Sequence, residues 1–292
     1  MKAFESFHPA ILFFYFLAMI FLTMFTLHPV LLGVSLVCAV AFCGLLIGGK
    51  ELLKSLLSSA VMFVLIALTN PIFSHNGETV LFFLNDNPVT LEAIFYGVAA
   101  ASMVLAVFYW FKCYHAVMTS DKFIYLFGRV IPKLSLLLSM VLGFLPKFKR
   151  RFQEIDRAQK ALGIYASNGY VDKIRSKARV LGILITWSLE NSVETADSMR
   201  ARGYGLKGRT SFSLFPWTKR DTVMAILILG LTAYVGMFVG AYSAFHYYPT
   251  LSNIVLNSGA VLFYVALFFL MFLSTAIEIK ENLSWRYFRS KI

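Results

Sequence analysis

A chain of 292 residues that is 59% hydrophobic and only 14% charged, with a mean hydropathy of +0.71, lacks the polar surface of soluble domains, where about 25% of residues are charged. In water it would expose apolar patches and aggregate, which excludes a soluble enzyme, a disordered regulator and a free nucleic-acid-binding domain. The formal net charge of +12 fits nucleic acid, anionic lipid or an acidic protein partner, and charge alone does not choose among them.

In chain order, no Lys or Arg lies between Lys2 and Lys50, between Lys54 and Lys112, or between Arg220 and Lys280. These gaps admit helices of the roughly 20 apolar residues that a bilayer crossing needs. Crossings are predicted over 10–28, 30–48, 53–70, 92–111, 223–243 and 257–277, with breaks at His28-Pro29, Gly48-Gly49-Lys50, Asn70-Pro71 and Tyr248-Pro249. The first apolar run is longer than a signal-peptide core and has no small-x-small cleavage site before His28-Pro29, so it reads as a crossing. Cys38, Cys43 and Cys113 lie in or beside crossings and read as packing or lipid-facing residues.

With the amino terminus inside, the loops 28–29, 71–91 and 244–256 face outward, and none of the 27 Lys and Arg falls in them. The expected fold is therefore all-α: a polytopic membrane protein of about six helices with both termini cytoplasmic. A membrane part of four crossings (1–111) is followed by a basic cytoplasmic domain (112–222), then by two further crossings with a basic tail (223–292).

Gly44-Leu-Leu-Ile-Gly-Gly-Lys-Glu51 approaches a phosphate-binding loop. However, Glu51 stands where a magnesium-binding hydroxyl belongs, and the stretch ends a crossing instead of following a strand. Gly44 and Gly48, and Gly236, Gly240 and Ala244, form small-residue stripes that let membrane helices approach. They serve packing within the chain or a sliding surface for a membrane partner, where the 29 Phe and 11 Met offer adaptable apolar contact. The five histidines are scattered without metal-ligand spacing. Glu92 and Asp86 are the only acids near the start of the fourth crossing, and the cores of the crossings hold no acid or base, unlike ion-coupled carriers.

Residues 112–222 carry 20 of the 27 basic and 8 of the 15 acidic residues, and so the whole net charge. Two apolar runs, Leu134 to Pro146 and Val180 to Leu189, are shorter than a crossing and suit buried or interfacial helices. Between them lie a polar helical stretch, Lys147 to Gly163, and a turn, Tyr165-Ala-Ser-Asn-Gly-Tyr170. The second run continues to Gly205, and Leu189, Val193, Ala196, Met199 and Gly203 share one helical face. Glu190, Glu194 and Asp197 form an adjoining acidic stripe, and Arg200 is one turn from Asp197, in range for an ion pair. Both polar helices end in basic residues followed by Ala-x-Gly. This reads either as two docking points for a two-fold or pseudo-two-fold partner or as ordinary helix caps.

The stretch Leu189-Glu-Asn-Ser-Val-Glu-Thr-Ala-Asp-Ser-Met-Arg-Ala-Arg-Gly203 resembles the signature of the transmembrane T component of energy-coupling factor (ECF) transporters. Phe7-His8-Pro9 and Met24-Phe-Thr-Leu-His-Pro29 are similar to the same family. The resemblance implies a non-catalytic scaffold of a micronutrient importer in the cell membrane. Such a scaffold joins two cytoplasmic ABC-type ATPases to a membrane-embedded substrate-binding S component, with no cofactor, no metal, no nucleic acid and no small-molecule pocket of its own. It implies that Ala201, Arg202 and Gly203, with Arg200 beside them, dock one ATPase. The first motif falls on Ala161, Leu162 and Gly163, where Leu162 replaces the family's arginine. Either Arg157 or Lys160 supplies the charge there, or the partner accepts an apolar anchor. A membrane-embedded enzyme acting on lipids, using the Glu190, Glu194 and Asp197 carboxylates, and a simple membrane anchor are the competing readings.

Overall fold

The computed structural model describes residues 3–74, 76–84, 87–128, 131–163, 169–206, 215–254 and 256–289. Helix starts follow from local chemistry. After a short 3-10 turn at Phe4–Ser6, α1 (Pro9–Met24) begins with proline in its first turn and the His8 side chain accepting from the Ala10 amide. Proline again opens α2 (Pro29–Ile47), a position where its missing N–H costs no helical bond. Gly48, at φ +91°, makes the turn into α3 (Gly49–Phe73), a conformation that only glycine adopts freely. Thr90 caps α4 (Leu91–Val117) by accepting from the Ala93 amide. Then come α5 (Ser120–Gly128), α6 (Pro132–Ala161), α7 (Tyr170–Ala201), α8 (Lys219–Tyr242) and α9 (Ser258–Arg289).

The protein is an all-α polytopic membrane protein. Among the described residues five helices, α2, α3, α4, α8 and α9, are long and apolar enough to cross a bilayer. The sixth apolar helix, α1, has 16 residues, about 24 Å at 1.5 Å per residue against a hydrocarbon core of about 30 Å. It is thus shorter than the expected 10–28.

Three other features differ from expectation. The loop 71–91 contains an antiparallel hairpin of β1 (Val80–Leu84) and β2 (Asn87–Thr90), with Phe82 opposite Val89 and a register irregularity between Val80 and Phe82. Pro71 does not stop α3, which runs on to Phe73. In the basic segment each short apolar run is continuous with the polar stretch after it. Thus α6 and α7 are single helices of 30 and 32 residues, with Pro146 inside α6. A proline withholds one amide and strains one turn, and α6 continues through it with its packing against α7 coming from Phe148, Phe152 and Ile155 beyond. The turn expected over 165–170 falls, at 165–168, outside the described residues, as does Asp86.

The chain forms two compact units, Met1–Phe123 with Phe215–Ile292, and Ile124–Leu214. In the first, α4 packs against α1, α2 and α3, and α9 packs against α2 and α8. Gly97 brings α4 against the Ala67 carbonyl of α3, where a Cβ would collide. Phe4, Tyr15, Phe16, Phe42 and Trp110 form a fully buried aromatic centre, with Phe4 5.3 Å from Tyr15 and 5.7 Å from Phe42, both edge-on.

Polar side chains tie this apolar bundle together. The Trp110 indole donates to the Ser35 hydroxyl (2.9 Å), which also bonds Thr23 (2.7 Å). The Tyr15 hydroxyl reaches the Ser274 hydroxyl (3.1 Å) and the Met271 carbonyl (3.2 Å) on α9. Such interhelical bonds are worth about 0.6 kcal/mol on average and up to about 1.7. We expect Tyr15→Phe, which removes only the hydroxyl, to destabilise the protein by about 1 kcal/mol in detergent unfolding. Leu57→Ala, on the exposed face of α3, should shift stability by less than about 0.5 kcal/mol.

Candidate functional site: the ends of two long helices

The unit Ile124–Leu214 is built on α6 and α7. They meet through Phe148, Phe152 and Ile155 on one side and Val180, Leu184 and Trp187 on the other. Phe148 sits edge-on to Trp187 at 5.9 Å, and the Arg151 guanidinium lies over the same indole at 5.6 Å. Phe148 and Arg151 pair with Trp187, while Ile155 groups with Val180 and Leu184, so the two helices run antiparallel past each other. Their carboxyl ends therefore project to opposite sides of the contact. Ala161 is ten residues beyond Arg151 and Ala201 is fourteen beyond Trp187, about 15 and 21 Å along the helices.

Both ends close with the same device. In α7 the Gly203 amide donates to the Arg200 carbonyl (2.9 Å) and the Tyr204 amide to the Met199 carbonyl (3.0 Å), with Gly203 at φ +82°. This paired pattern satisfies carbonyls that a helix end leaves open, and it requires a left-handed residue after the cap. In α6 the Gly163 amide donates to the Lys160 carbonyl (3.0 Å), with Gly163 at φ +72°. The capping residues have nearly the same backbone, φ −75° and ψ 0° at Leu162, φ −82° and ψ 9° at Arg202. The two Ala-x-Gly ends thus share the cap backbone and the left-handed glycine, with Leu162 displayed at one and Arg202 at the other.

The side chains around them face outward. Ala161, Leu162, Gly163, Ala201 and Arg202 are exposed, Leu162 to 72%. Arg200 pairs loosely with Asp197 at 3.9 Å with both groups solvated, and Lys160 reaches Asp156 at 2.7 Å. Exposed pairs of this kind contribute little to stability. Arg157 is also exposed, and Arg202 makes no ion pair among the described residues. The apolar face of α7 approaching the tip is uncovered, with Leu189 and Val193 both more than 60% exposed. Glu190, Glu194 and Asp197 lie on the exposed surface of the same helix, not in a cleft.

The other singled-out residues lie in the first unit. Gly44 faces the Leu52 side chain, so a Cβ there would crowd α3, and Gly48 serves the turn. The near-match to a phosphate loop is thus the end of α2 and the start of α3. On α8, Gly236 and Gly240 are exposed, with nothing within 4 Å of where a Cβ would stand. Ala244 lies just past the helix and is exposed. An open, mainly apolar pocket of about 540 Å³ is lined by Pro29, Leu32, Phe95, Val98, Phe245 and Tyr247 among others.

Sequence reasoning missed three buried charges, Lys122, Asp221 and Glu278, and named Glu92 without its burial; each is 5% exposed or less. Only Asp221 had a readable signal, Thr218-x-x-Asp221, which forms a capping box at the start of α8.

Long apolar helices and a basic unit whose two long helices close on left-handed glycines define a polytopic membrane protein. A family model described as CbiQ, cobalt transport protein, matches residues 7–214, and the chain belongs to that family, which is that of the ECF transmembrane components. It is 35% identical over 104 residues to an energy-coupling factor transporter transmembrane protein of Listeria innocua, covering 35% of this chain and 39% of that one. A protein of the same description from Streptococcus thermophilus is 38% identical over 103 residues, 34% of this chain and 39% of its own. The Bacillus subtilis counterpart is 30% identical over 105 residues, 35% and 40% respectively. The matched stretch therefore spans about two fifths of these relatives.

The cap geometry is directly testable. We expect Gly203→Ala to cost about 1–2 kcal/mol, because a Cβ is disfavoured at positive φ, and to speed amide exchange at Gly203 and Tyr204. Gly182→Ala, in the interior of α7 with open space around it, should stabilise by about 0.5–1 kcal/mol. Thermal unfolding with amide exchange measures both.

Proposed function

We propose that this chain is the energy-coupling membrane subunit of an ECF-type importer. It transmits the ATP-driven motion of two ABC-type ATPases, gripping the α6 and α7 tips, to a membrane-embedded substrate-binding S component. The observation that carries this reading is the pairing of tips. Two helices of one basic unit end in the same glycine-dependent cap, with the capping side chains Leu162 and Arg202 displayed to solvent. A guanidinium there can donate several charge-assisted bonds to carboxylates or carbonyls in a groove, and the following glycine leaves room for close backbone approach. Leu162 holds the same backbone with an apolar side chain. The first contact is therefore an apolar anchor in a socket of similar shape, and the two ATPase sockets differ in chemistry. Hydrolysis belongs to the partners, and this chain is not an enzyme.

The proposed topology places both termini and the basic unit in the cytoplasm, following the Lys and Arg distribution. The exposed, glycine-notched face of α8 around Gly236 and Gly240 is the proposed surface for the S component, because it offers close approach without an occupant from this chain.

Truncating one partner of a buried charged contact costs about 2–5 kcal/mol, roughly 30- to several thousand-fold in affinity. Arg202→Ala should therefore release an ATPase from complexes purified from native membranes, or abolish the coupling of hydrolysis to the membrane part. Wild-type coupling with both ATPases bound would show that Arg202 is not a docking residue. Leu162→Asp should weaken the other contact, and Gly240→Leu should lose the S component while the ATPases stay bound. The native cysteines are all buried, so labelling of single introduced cysteines tests topology. Asn253→Cys should react from outside intact cells and Arg179→Cys only after permeabilisation.

A further inference from the structure

The chain leaves the first compact unit after Phe123 and returns to it at Phe215. Beside these two roots are two of the buried charges that no expectation covered. Lys122, with a side chain only 7% exposed, donates from Nζ to the Glu5 carbonyl (2.6 Å) and the Val117 carbonyl (3.2 Å). Its ammonium is also 3.8 Å from the Glu5 carboxylate. Asp221, 4% exposed, accepts from the His8 amide (3.1 Å), the Thr218 amide (2.9 Å) and the Thr218 hydroxyl (2.7 Å). Next to it the His8 ring meets Trp217 at 4.7 Å, and the Arg220 guanidinium lies over Phe7 at 5.4 Å.

Both roots thus share partners in one short piece of chain, Phe4 to Pro9. Glu5 and His8 are three residues apart, so their Cα atoms lie within about 11 Å of each other, although Lys122 and Asp221 are separated by nearly a hundred residues of sequence. The same piece has a third attachment. The Phe4 amide donates to the Glu278 carboxylate of α9 at 3.2 Å, and the Phe4 ring is fully buried among Tyr15, Phe16 and Phe42. A buried ammonium and a buried carboxylate are costly to strand, so these bonds hold through small displacements of the roots.

We propose that Phe4–Pro9 is a strap that gathers the two roots of the coupling unit and delivers their displacement into the aromatic centre and α9, with Lys122 and Asp221 as its positioning residues. The inference rests on the proposed coupling function. Force applied at two distant tips arrives at the membrane part through both roots. Without the strap each root would yield separately on its own linker. With it, the roots move together and pull on Phe4 and Glu278.

The test uses the complex purified from native membranes with whatever ATPases accompany the tagged chain, so no transported substrate is needed. A spin label is placed at Met237, which is exposed on α8. Its spectrum is compared with and without ATP, alongside ATPase recovery and hydrolysis. In the wild type we expect ATP to change the label's mobility. In Lys122→Met the ATPases should stay bound and hydrolyse ATP while the label's response falls about tenfold, the factor carried by one charge-assisted hydrogen bond, and Lys122→Arg should restore it. An unchanged response overturns the strap, as does a loss of response that Lys122→Arg does not rescue. If Lys122→Met does not assemble, Trp217→Leu decides: it removes the ring on His8 at a half-exposed position. A reduced response with bound ATPases supports the strap, and a wild-type response overturns it. If no ATPase accompanies the wild-type chain, the coupling function itself fails, whatever the variants do.

Discussion

In a bundle this apolar, the groups that most constrain the structure are the backbone donors and acceptors that helix ends leave open. The buried charges are placed against them. Lys122 takes the Val117 carbonyl at the end of α4 and the Glu5 carbonyl. Asp221 takes the amides of Thr218 and His8 at the start of α8 and just before α1. Glu278 takes the Phe4 amide, and Glu92, in the first turn of α4, takes the Thr79 amide and hydroxyl. The cation meets carbonyls and the carboxylates meet amides; at Lys122 and Asp221 this follows the partial charges of the helix ends beside them. Each match fixes one connection that apolar packing alone would leave free to slide.

Two of the connections so fixed, at Lys122 and Asp221, are the ones next to the points where the chain leaves and re-enters the first unit, and the character of the contacts differs between these points, the α6–α7 contact and the tips. At the roots they are buried and ionic. Where α6 and α7 meet they are aromatic and aliphatic, around Trp187 and Ile155. At the tips the capping side chains Leu162 and Arg202 are exposed. A part that must pass on displacement needs stiffness where it is held and where its arms meet, and an open surface only where another molecule takes hold. Under the proposed coupling function, the order of contact types in this chain follows that need.

The crossings were legible because hydrophobic length and the absence of Lys and Arg are one-dimensional signals, and the observed helices match the expected ones to within a few residues at most ends. The matched helix tips were legible too, since Ala-x-Gly after a basic turn states both the stop and its dipole. What escaped depends on three-dimensional neighbours. Nothing in the sequence around Lys122 says that it is buried, because its partners are backbone carbonyls of Glu5 and Val117. The hairpin Val80–Thr90 was hidden in a loop, since Val-Leu-Phe-Phe-Leu is as compatible with a buried helical turn as with a strand. The fusion of the short apolar runs into α6 and α7 was hidden by Pro146, which by local rules is a stop. The sequence also shows Leu189 and Val193 on one face without saying that this face is left open, because an amphipathic pattern does not identify what covers it.

The two tips show how little of a helix end has to be identical for its backbone to persist. A helix that frayed over its last turn would absorb a push as local unwinding, since terminal residues open at almost no free-energy cost. The glycine-dependent cap prevents this by bonding the last carbonyls back to the chain at Gly163 and again at Gly203 and Tyr204. That bonding depends on the left-handed glycine and on the backbone of the residue before it, not on that residue's side chain. Leu162 can therefore stand where Arg202 stands at the other tip without disturbing the end of α6. The side chain at that position is free to vary, while the glycine after it answers to the helix.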